Sequence, residues 1–246
     1  MNNKIKIITP FYNAAEFIER CTSTLITQKY DNYQMIFVDD CSTDNSYDKL
    51  PHDDQRAIII RNEVRKTALE NIHDAIMNHC ESGDIVVLVD GDDWLPNKNV
   101  LKKINDIYNE TDCRIMYGQC TFSSNGAKGN SKKYSIEQLN NIRNEQGFHI
   151  SHIRTFKKSL YEEIGNQDPN FDCLKDSNGE FYKMTYDVAM FYPMIEICPK
   201  DKIVYNDESL YVYNIENPIS DFRTDGSLQQ RIHDEIRKKK TFKEIL

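Results

Sequence analysis

No stretch of this chain stays apolar for long. The longest runs, such as Ile58 to Ile60 and Ile85 to Val89, are far shorter than the roughly 20 residues that a membrane-spanning helix needs. No transmembrane segment is therefore expected. The opening MNNKIKIITPFYN lacks an apolar stretch ending in small residues, so a secretory signal is not expected and a soluble, cytoplasmic, reducing setting is. An excess of cations is missing too. The formal net charge is -8, from 31 basic and 39 acidic residues, which argues against a nucleic-acid partner and leaves anionic ligands to local groups or a metal. The seven cysteines include no C-x-x-C pair and sit mostly in apolar patterns, so they are expected to act as small hydrophobes and not as zinc ligands.

What the chain does have is alternation. With 39 % hydrophobic residues over 246 positions, it can bury one large α/β core or two small ones. Lys4 to Thr9, Met35 to Val38, Arg56 to Arg61 and Ile85 to Val89 read as strands, the last of them the most apolar. Between them lie helical patterns. One, capped by Asn13 with Glu16, carries Phe17, Ile18, Cys21, Leu25 and Ile26; another, opened by Thr67 with Glu70, carries Leu69, Ile72, Ala75 and Ile76. Near-continuous apolar strands alternating with helices predict a mainly parallel sheet covered on both faces.

Past residue 110 the pattern becomes irregular. Cys113 to Cys120 reads as a strand, and Ser123 to Ser135 as a Gly, Ser and Lys loop suited to a mobile lid. A polar helix from Ser135, the segment His149 to Phe156 and an acidic loop at Asp168 to Glu180 come next. Then follow a helix over Thr185 to Ile197 interrupted by Pro193, strands Lys202 to Tyr205 and Ser209 to Tyr213, and a helix begun by Ser227. The expected division is a ligand-binding α/β half at 1–110, a mixed region at 111–224 and a C-terminal helix at 225–246.

In parallel sheets ligands bind beyond the carboxyl ends of the strands, which points to Thr9–Asn13, Asp39–Asp44, Arg61–Lys66 and Asp90–Trp94. Asp90 and Asp92 stand at i and i+2 on extended chain, so both can face one ligand complex, and Gly91 permits close backbone approach. A hard divalent cation bridged to diphosphate oxygens suits such a pair. The plainer alternative is a polar turn, with Asp93 capping the next helix. A calcium loop of the EF-hand kind is excluded, since Leu95 and Leu101 occupy its glycine and glutamate positions. After the second strand, Asp39 can accept from a base N–H or a ribose hydroxyl, while Ser42, Thr43 and Asp44 can cap a helix. Capping does not account for the adjacent pair Asp39 and Asp40.

IITPFYNAAEFIERCTSTLITQ, VDDCSTDNS, RNEVRK and LVDGDDWL, in this order and spacing over the first 110 residues, resemble the nucleotide-binding half of family 2 glycosyltransferases of the GT-A fold. The resemblance implies an inverting, metal-dependent transfer of a sugar from a nucleoside-diphosphate donor, usually UDP-linked, to a hydroxyl of a glycan or glycoconjugate. It implies that Thr9, Pro10, Phe11 and Tyr12 line the nucleotide pocket and that Asp39 contacts the base. Asp90 with Gly91 would lie by the ribose, and Asp92, with Asp90, would hold Mn2+ or Mg2+. The family's glycine and arginine after the third strand are missing here, leaving Arg65 or Lys66 for the donor phosphates. A carboxylate at a helix start serves as the base in this family, and Asp187 falls there, with Tyr186 in place of a preceding acid; stabilisation of the helix end predicts the same location. Asp172, Asp176 and Glu196 compete with it. His149, His152 and Arg154 resemble an acceptor-side segment that could bind acceptor hydroxyls or donor phosphates, though a half-exposed strand alternates in the same way. The histidine or arginine with which many relatives close over the diphosphate is missing at 213–221, leaving Asn217 or Asp221 to complete the metal shell. The alternatives are a nucleotidyltransferase, for which TPFYN lacks a Gly-rich loop, a phospho-acceptor module, which needs about half this length, and a non-catalytic nucleotide-sugar-binding descendant of the fold.

Overall fold

The computed structural model describes residues 1–218 and 226–245. Its centre is one seven-stranded sheet: β1 (Ile5–Phe11), β2 (Tyr33–Asp39), β3 (Ala57–Arg61), β4 (Ile85–Leu88), β5 (Ile115–Phe122), β6 (Arg154–Lys157) and β7 (Ile203–Tyr213), in the order β3-β2-β1-β4-β6-β5-β7. β1 to β4 are parallel, β6 runs antiparallel to both β4 and β5, and β7 is parallel to β5. The sheet is thus mainly parallel with one reversed strand, the fold class the sequence predicts, and it continues without interruption past residue 110.

The strands are apolar on both faces because both faces are covered. Ile8, Ile36, Val38, Val86 and Leu88 point to a layer formed by helices α2 (Ala68–His79), α5 (Lys158–Gln167) and α6 (Tyr186–Ile197). Their neighbours Ile5, Ile7, Met35, Phe37, Ile85 and Val87 point the other way, to α1 (Ile18–Ile26) and α3 (Val100–Thr111). That alternation is the two-residue period of a strand shared between two cores. A short helix α4 (Ile136–Asn140), opened by a Ser135–Gln138 capping box, and the helix α7 (Gly226–Arg237) complete the described chain.

Several local expectations are corrected. Asn13 does not cap α1, whose first residue is preceded by Phe17 without a side-chain cap; Asn13 instead accepts from the Thr43 N–H and donates its own N–H to Ser42. Thr67 precedes α2 at a positive φ of 78° and makes no cap hydrogen bond. Asp93 does not cap α3, whose preceding residue is Asn99. The two strands expected at 202–213 are one, β7, because a register shift opposite Gly118 to Cys120 absorbs the polar break at Asn206 to Ser209. Helix α5 has no counterpart among the expected elements. Its apolar positions Leu160, Tyr161 and Ile164 are few and lack a Ser, Thr, Asp or Asn start. The loop after β5 folds back on its own strand, with Phe122 N–H to Ala127 O and Gly129 N–H to Cys120 O, so it extends the sheet edge.

Candidate active site

Every contributing segment reaches one cleft of about 300 Å³ at the carboxyl ends of β1 and β4. β1 delivers Pro10, Phe11 and Tyr12, the turn after β4 delivers Asp90, Gly91 and Asp92, and the approach to α2 delivers Arg65 and Asn71. Because β6 runs backwards, its start and not its end lies here, bringing His152 and Arg154; the start of α6 adds Tyr186 and Asp187. A β-carbon on Gly91 would meet the Phe11 β-carbon at 2.4 Å, so the turn can pack onto β1 only without a side chain.

The two aspartates after β2 divide their work. Asp39 is fully buried, accepts from the Ser42 N–H and lies 3.3 Å from Arg61 Nε in an ion pair without hydrogen-bond geometry. Asp40 gathers the next loop. It accepts from the backbone N–H groups of Lys66 and Thr67 at 2.8 and 3.1 Å, from Asn62 Nδ2 and from Arg65 Nε. Burial alone would raise the Asp40 carboxyl, but these donors outweigh it and hold it below the ordinary carboxylate value. The adjacent acidic pair is thereby accounted for: one carboxylate orders its own turn, the other fastens the entry to α2.

Asp90 and Asp92 face the cleft, whereas Asp93 turns inward. Asp93 Oδ2 accepts from the Tyr211 hydroxyl at 2.6 Å and Oδ1 from the Asn214 N–H at 2.7 Å, while Trp94 exchanges backbone hydrogen bonds with Val212. The acidic turn is thus tied to the end of β7. Burial, with Asp92 and Asp90 close by, pushes the Asp93 carboxyl well up. Asp90 accepts from the Tyr186 hydroxyl on both oxygens, at 2.9 and 3.0 Å, and Asp92 accepts from Asn217 Nδ2 at 2.7 Å.

Beside them, Arg154 Nη1 donates to His152 Nε2 at 2.8 Å and Arg154 Nη2 to Asp187 Oδ2 at 2.7 Å. Burial and the Arg154 charge lower the His152 ring, so it is neutral, with its Nε2 lone pair turned to the arginine. That nitrogen also lies 3.5 Å from Asp90 Oδ2. Asp90 and His152 thus share one polar corner with the Arg154 guanidinium, which supplies a positive charge there. Asp90, Asp93 and His152 form a cluster with ligand atoms within 4.8 Å of one another that could hold a divalent ion, and Asp90 and the neighbouring Asp92 line the cleft.

Of the residues singled out in the sequence, Pro10, Phe11, Tyr12, Arg65, Asp90, Gly91, Asp92, His152, Arg154 and Asp187 line this cleft. Thr9 and Asp39 are buried beneath it. Lys66 turns away to Glu70 and Asp74, and His149 packs at a tilt beside Tyr134, 6.0 Å between ring centroids, with its Nδ1 on Asn130 O. Glu196 is paired with Arg143, and neither Asp172 nor Asp176 reaches the cleft. Asp221 lies outside the described residues. Tyr186, Tyr211 and Tyr213 are the participants that sequence reasoning passed over. His152 stacks on the rings of both Tyr211 and Tyr213, at 4.5 and 5.4 Å, and the alternating aromatics at the end of β7 were the available signal.

Fold and cleft together define a GT-A nucleotide-sugar transferase architecture. The description "Glycosyl transferase family 2" matches residues 6–165, more than half of the chain, and the chain belongs to that family. It is 24 % identical over 233 residues to glycosyltransferase GlyG of Streptococcus pneumoniae serotype 4 (87 % of this chain, 71 % of GlyG). With glycosyltransferase GlyA of the same organism it shares 25 % over 240 residues, but spans only 31 % of that protein. Among solved structures it resembles S. aureus TarS 1-349 in complex with UDP-GlcNAc (TM-score 0.60, 16 % identity, 87 % of this chain and 59 % of that one). It also resembles the mannosyltransferase PcManGT of Pyrobaculum calidifontis in complex with GDP-Man and Mn2+ (TM-score 0.59, 16 % identity, 87 % and 57 %). Among the described residues, no helix is long and apolar enough to cross a membrane.

Proposed function

We propose that this chain is a metal-dependent, inverting glycosyltransferase that moves a sugar from a nucleoside-diphosphate donor, UDP-linked by preference, to a hydroxyl of a glycan or glycoconjugate. The observation that carries the reading is the convergence of the Asp90–Asp92 turn, the neutral His152 and the helix-start Asp187 on one cleft. TarS with UDP-GlcNAc and PcManGT with GDP-Man and Mn2+ support it by fold.

In this reading Tyr12 and Arg65, whose guanidinium sits 3.6 Å over the Tyr12 ring, form the wall against which the nucleotide packs. Asp90 and Asp92 would hold a divalent cation, Mn2+ or Mg2+, with His152 beside them, and the cation would neutralise charge on the departing diphosphate. Arg154, between His152 and Asp187, places a second positive charge beside the same oxygens. Asp187 takes the proton from the acceptor hydroxyl as that oxygen attacks the anomeric carbon from the face opposite the leaving group. The Arg154 contact and the Val188 N–H on Asp187 Oδ1 hold the carboxylate in place. A panel of UDP-, GDP- and TDP-sugars, assayed for hydrolysis with and without Mn2+, tests the proposal. Metal-dependent turnover of one donor supports it; binding of none leaves the family membership without this activity.

A further inference from the structure

A second cavity, of about 370 Å³, opens from the cleft. The two share Thr185, Asp187 and Gln229, so one end of this groove begins at the expected base. Its wall is α7, which lies beyond the residues matched by the family description. Gly226, Gln229, Gln230, His233 and Arg237 line it at spacings of three and four, which is one face of a helix. From Gln229 to Arg237 that face runs roughly 12 Å at the rise of an α-helix. The opposite wall carries Phe148, packed edge-on against Tyr192 at 5.5 Å.

The far end of the groove is cationic. Arg237 donates from Nε to the Tyr192 hydroxyl and from Nη2 to the Glu145 carbonyl, and among the described residues it has no carboxylate within ion-pair distance. Its neighbour Arg143 shows what a purely structural arginine looks like here. That one is clamped by Glu196 at 2.5 and 3.0 Å and by the carbonyls at the end of α7. His233 shares the Tyr192 hydroxyl at 3.0 Å, and burial together with the Arg237 charge lowers its ring. The Tyr192 hydroxyl accepts from Arg237 and is shared with His233 Nε2, so Arg237 and His233 are held together at this end of the groove. The bland alternative is that Arg237 merely suits the negative end of α7. It explains the helix position but not why a half-buried guanidinium, with no carboxylate partner among the described residues, lines a groove that ends at Asp187.

We infer that this groove takes the acceptor, and that the acceptor is a sugar or polyol bearing a phosphate ester, whose anion sits at Arg237 and His233 while its attacking hydroxyl lies at Asp187. The inference rests on the transferase reading for the meaning of Asp187 but is tested without donor chemistry. Calorimetric titration of the full chain uses a methyl glycoside, a glycosyl phosphate, a short alkyl glycosyl diphosphate and a polyol phosphate. Both phosphate sources, a lipid-linked diphosphate and a phosphodiester polymer, are thereby represented, and whichever analogue binds more tightly identifies the source. A phosphorylated ligand should bind about tenfold or more tighter than the uncharged glycoside, the scale of one charge-assisted fork on phosphate. Arg237→Gln should erase that difference, and Arg237→Lys should retain part of it, with thermal unfolding monitored so that loss of α7 is recognised. Equal binding of charged and uncharged ligands by the unaltered protein, or a preference unchanged in Arg237→Gln, overturns the inference. Donor hydrolysis is measured separately: its absence sinks the transferase reading, while phosphate preference stands or falls on the titrations.

Discussion

The two sides of the cleft are built differently. On the β1–β3 side, carboxylates hold backbone amides of their own or a neighbouring loop, 3 to 29 positions away: Asp39 takes Ser42 N–H, Asp44 takes Ala15 N–H, and Asp40 takes Lys66 and Thr67 N–H. On the side of β6, β7 and α6, side chains hold side chains across long separations. Tyr186 reaches Asp90 over 96 positions, Tyr211 reaches Asp93 over 118 and Asn217 reaches Asp92 over 125. The first kind of site is a set of loops tied to one another within the first three strands and the start of α2. The second exists only once β6, β7 and α6 have docked on the sheet, so its geometry depends on the whole fold.

The sharpest way to break this comparison is at the acidic turn. Asp92→Asn should remove metal-dependent transfer, a loss of about 10³-fold or more if the cation supplies several kcal/mol at the leaving group. The fold should stay intact, since Asp92 lies at the cleft; circular dichroism and turnover of the same preparation check both. Asp187→Asn should lower turnover by about 10²- to 10⁴-fold, the range for loss of a general base, with nucleotide binding nearly unchanged. Retained turnover would move the base elsewhere. Tyr186→Phe removes the hydroxyl from Asp90 and should lower turnover by roughly tenfold, about the worth of one hydrogen bond to a charged group. A titration of activity against Mn2+ should show a changed metal requirement.

On the β1–β3 side the effect should appear in stability. Asp40→Asn should cost about 2 kcal/mol, because it replaces a charged acceptor of several buried donors. Since the folded Asp40 carboxyl lies below its ordinary value, its contribution is present above the unfolded value near 3.9 and is lost as pH falls through the lower folded value. Acid unfolding of the variant should therefore lack that part of the pH dependence.

This division also explains what was legible in the sequence. The parallel half shows as apolar strands each followed by a polar turn, because strand burial and turn chemistry are local properties. Asp90 and Asp92 could be paired from their i, i+2 spacing. Nothing local distinguishes Asp93, whose inward turn is set by Tyr211 and Asn214 far along the chain. Tyr186 reads as a departure from an acidic pattern until its hydroxyl is seen on Asp90. His149 and His152 look alike in sequence, yet only His152 stacks on the β7 tyrosines and reaches the acidic turn. The three lysines at 238–240 suit the negative end of the last helix better than a membrane surface, to which three charges give only modest attraction. In the structure Lys239 and Lys240 donate to the carbonyls of Lys175 and Gln167.

The central claim, that this turn holds a metal for a nucleoside diphosphate, is tested most directly by calorimetric binding of UDP with and without Mn2+ to the unaltered chain and to Asp92→Asn. Binding strengthened by Mn2+ in the unaltered chain, with the strengthening lost in the variant, is the predicted result. UDP affinity indifferent to Mn2+, or equally metal-dependent in Asp92→Asn, would contradict it.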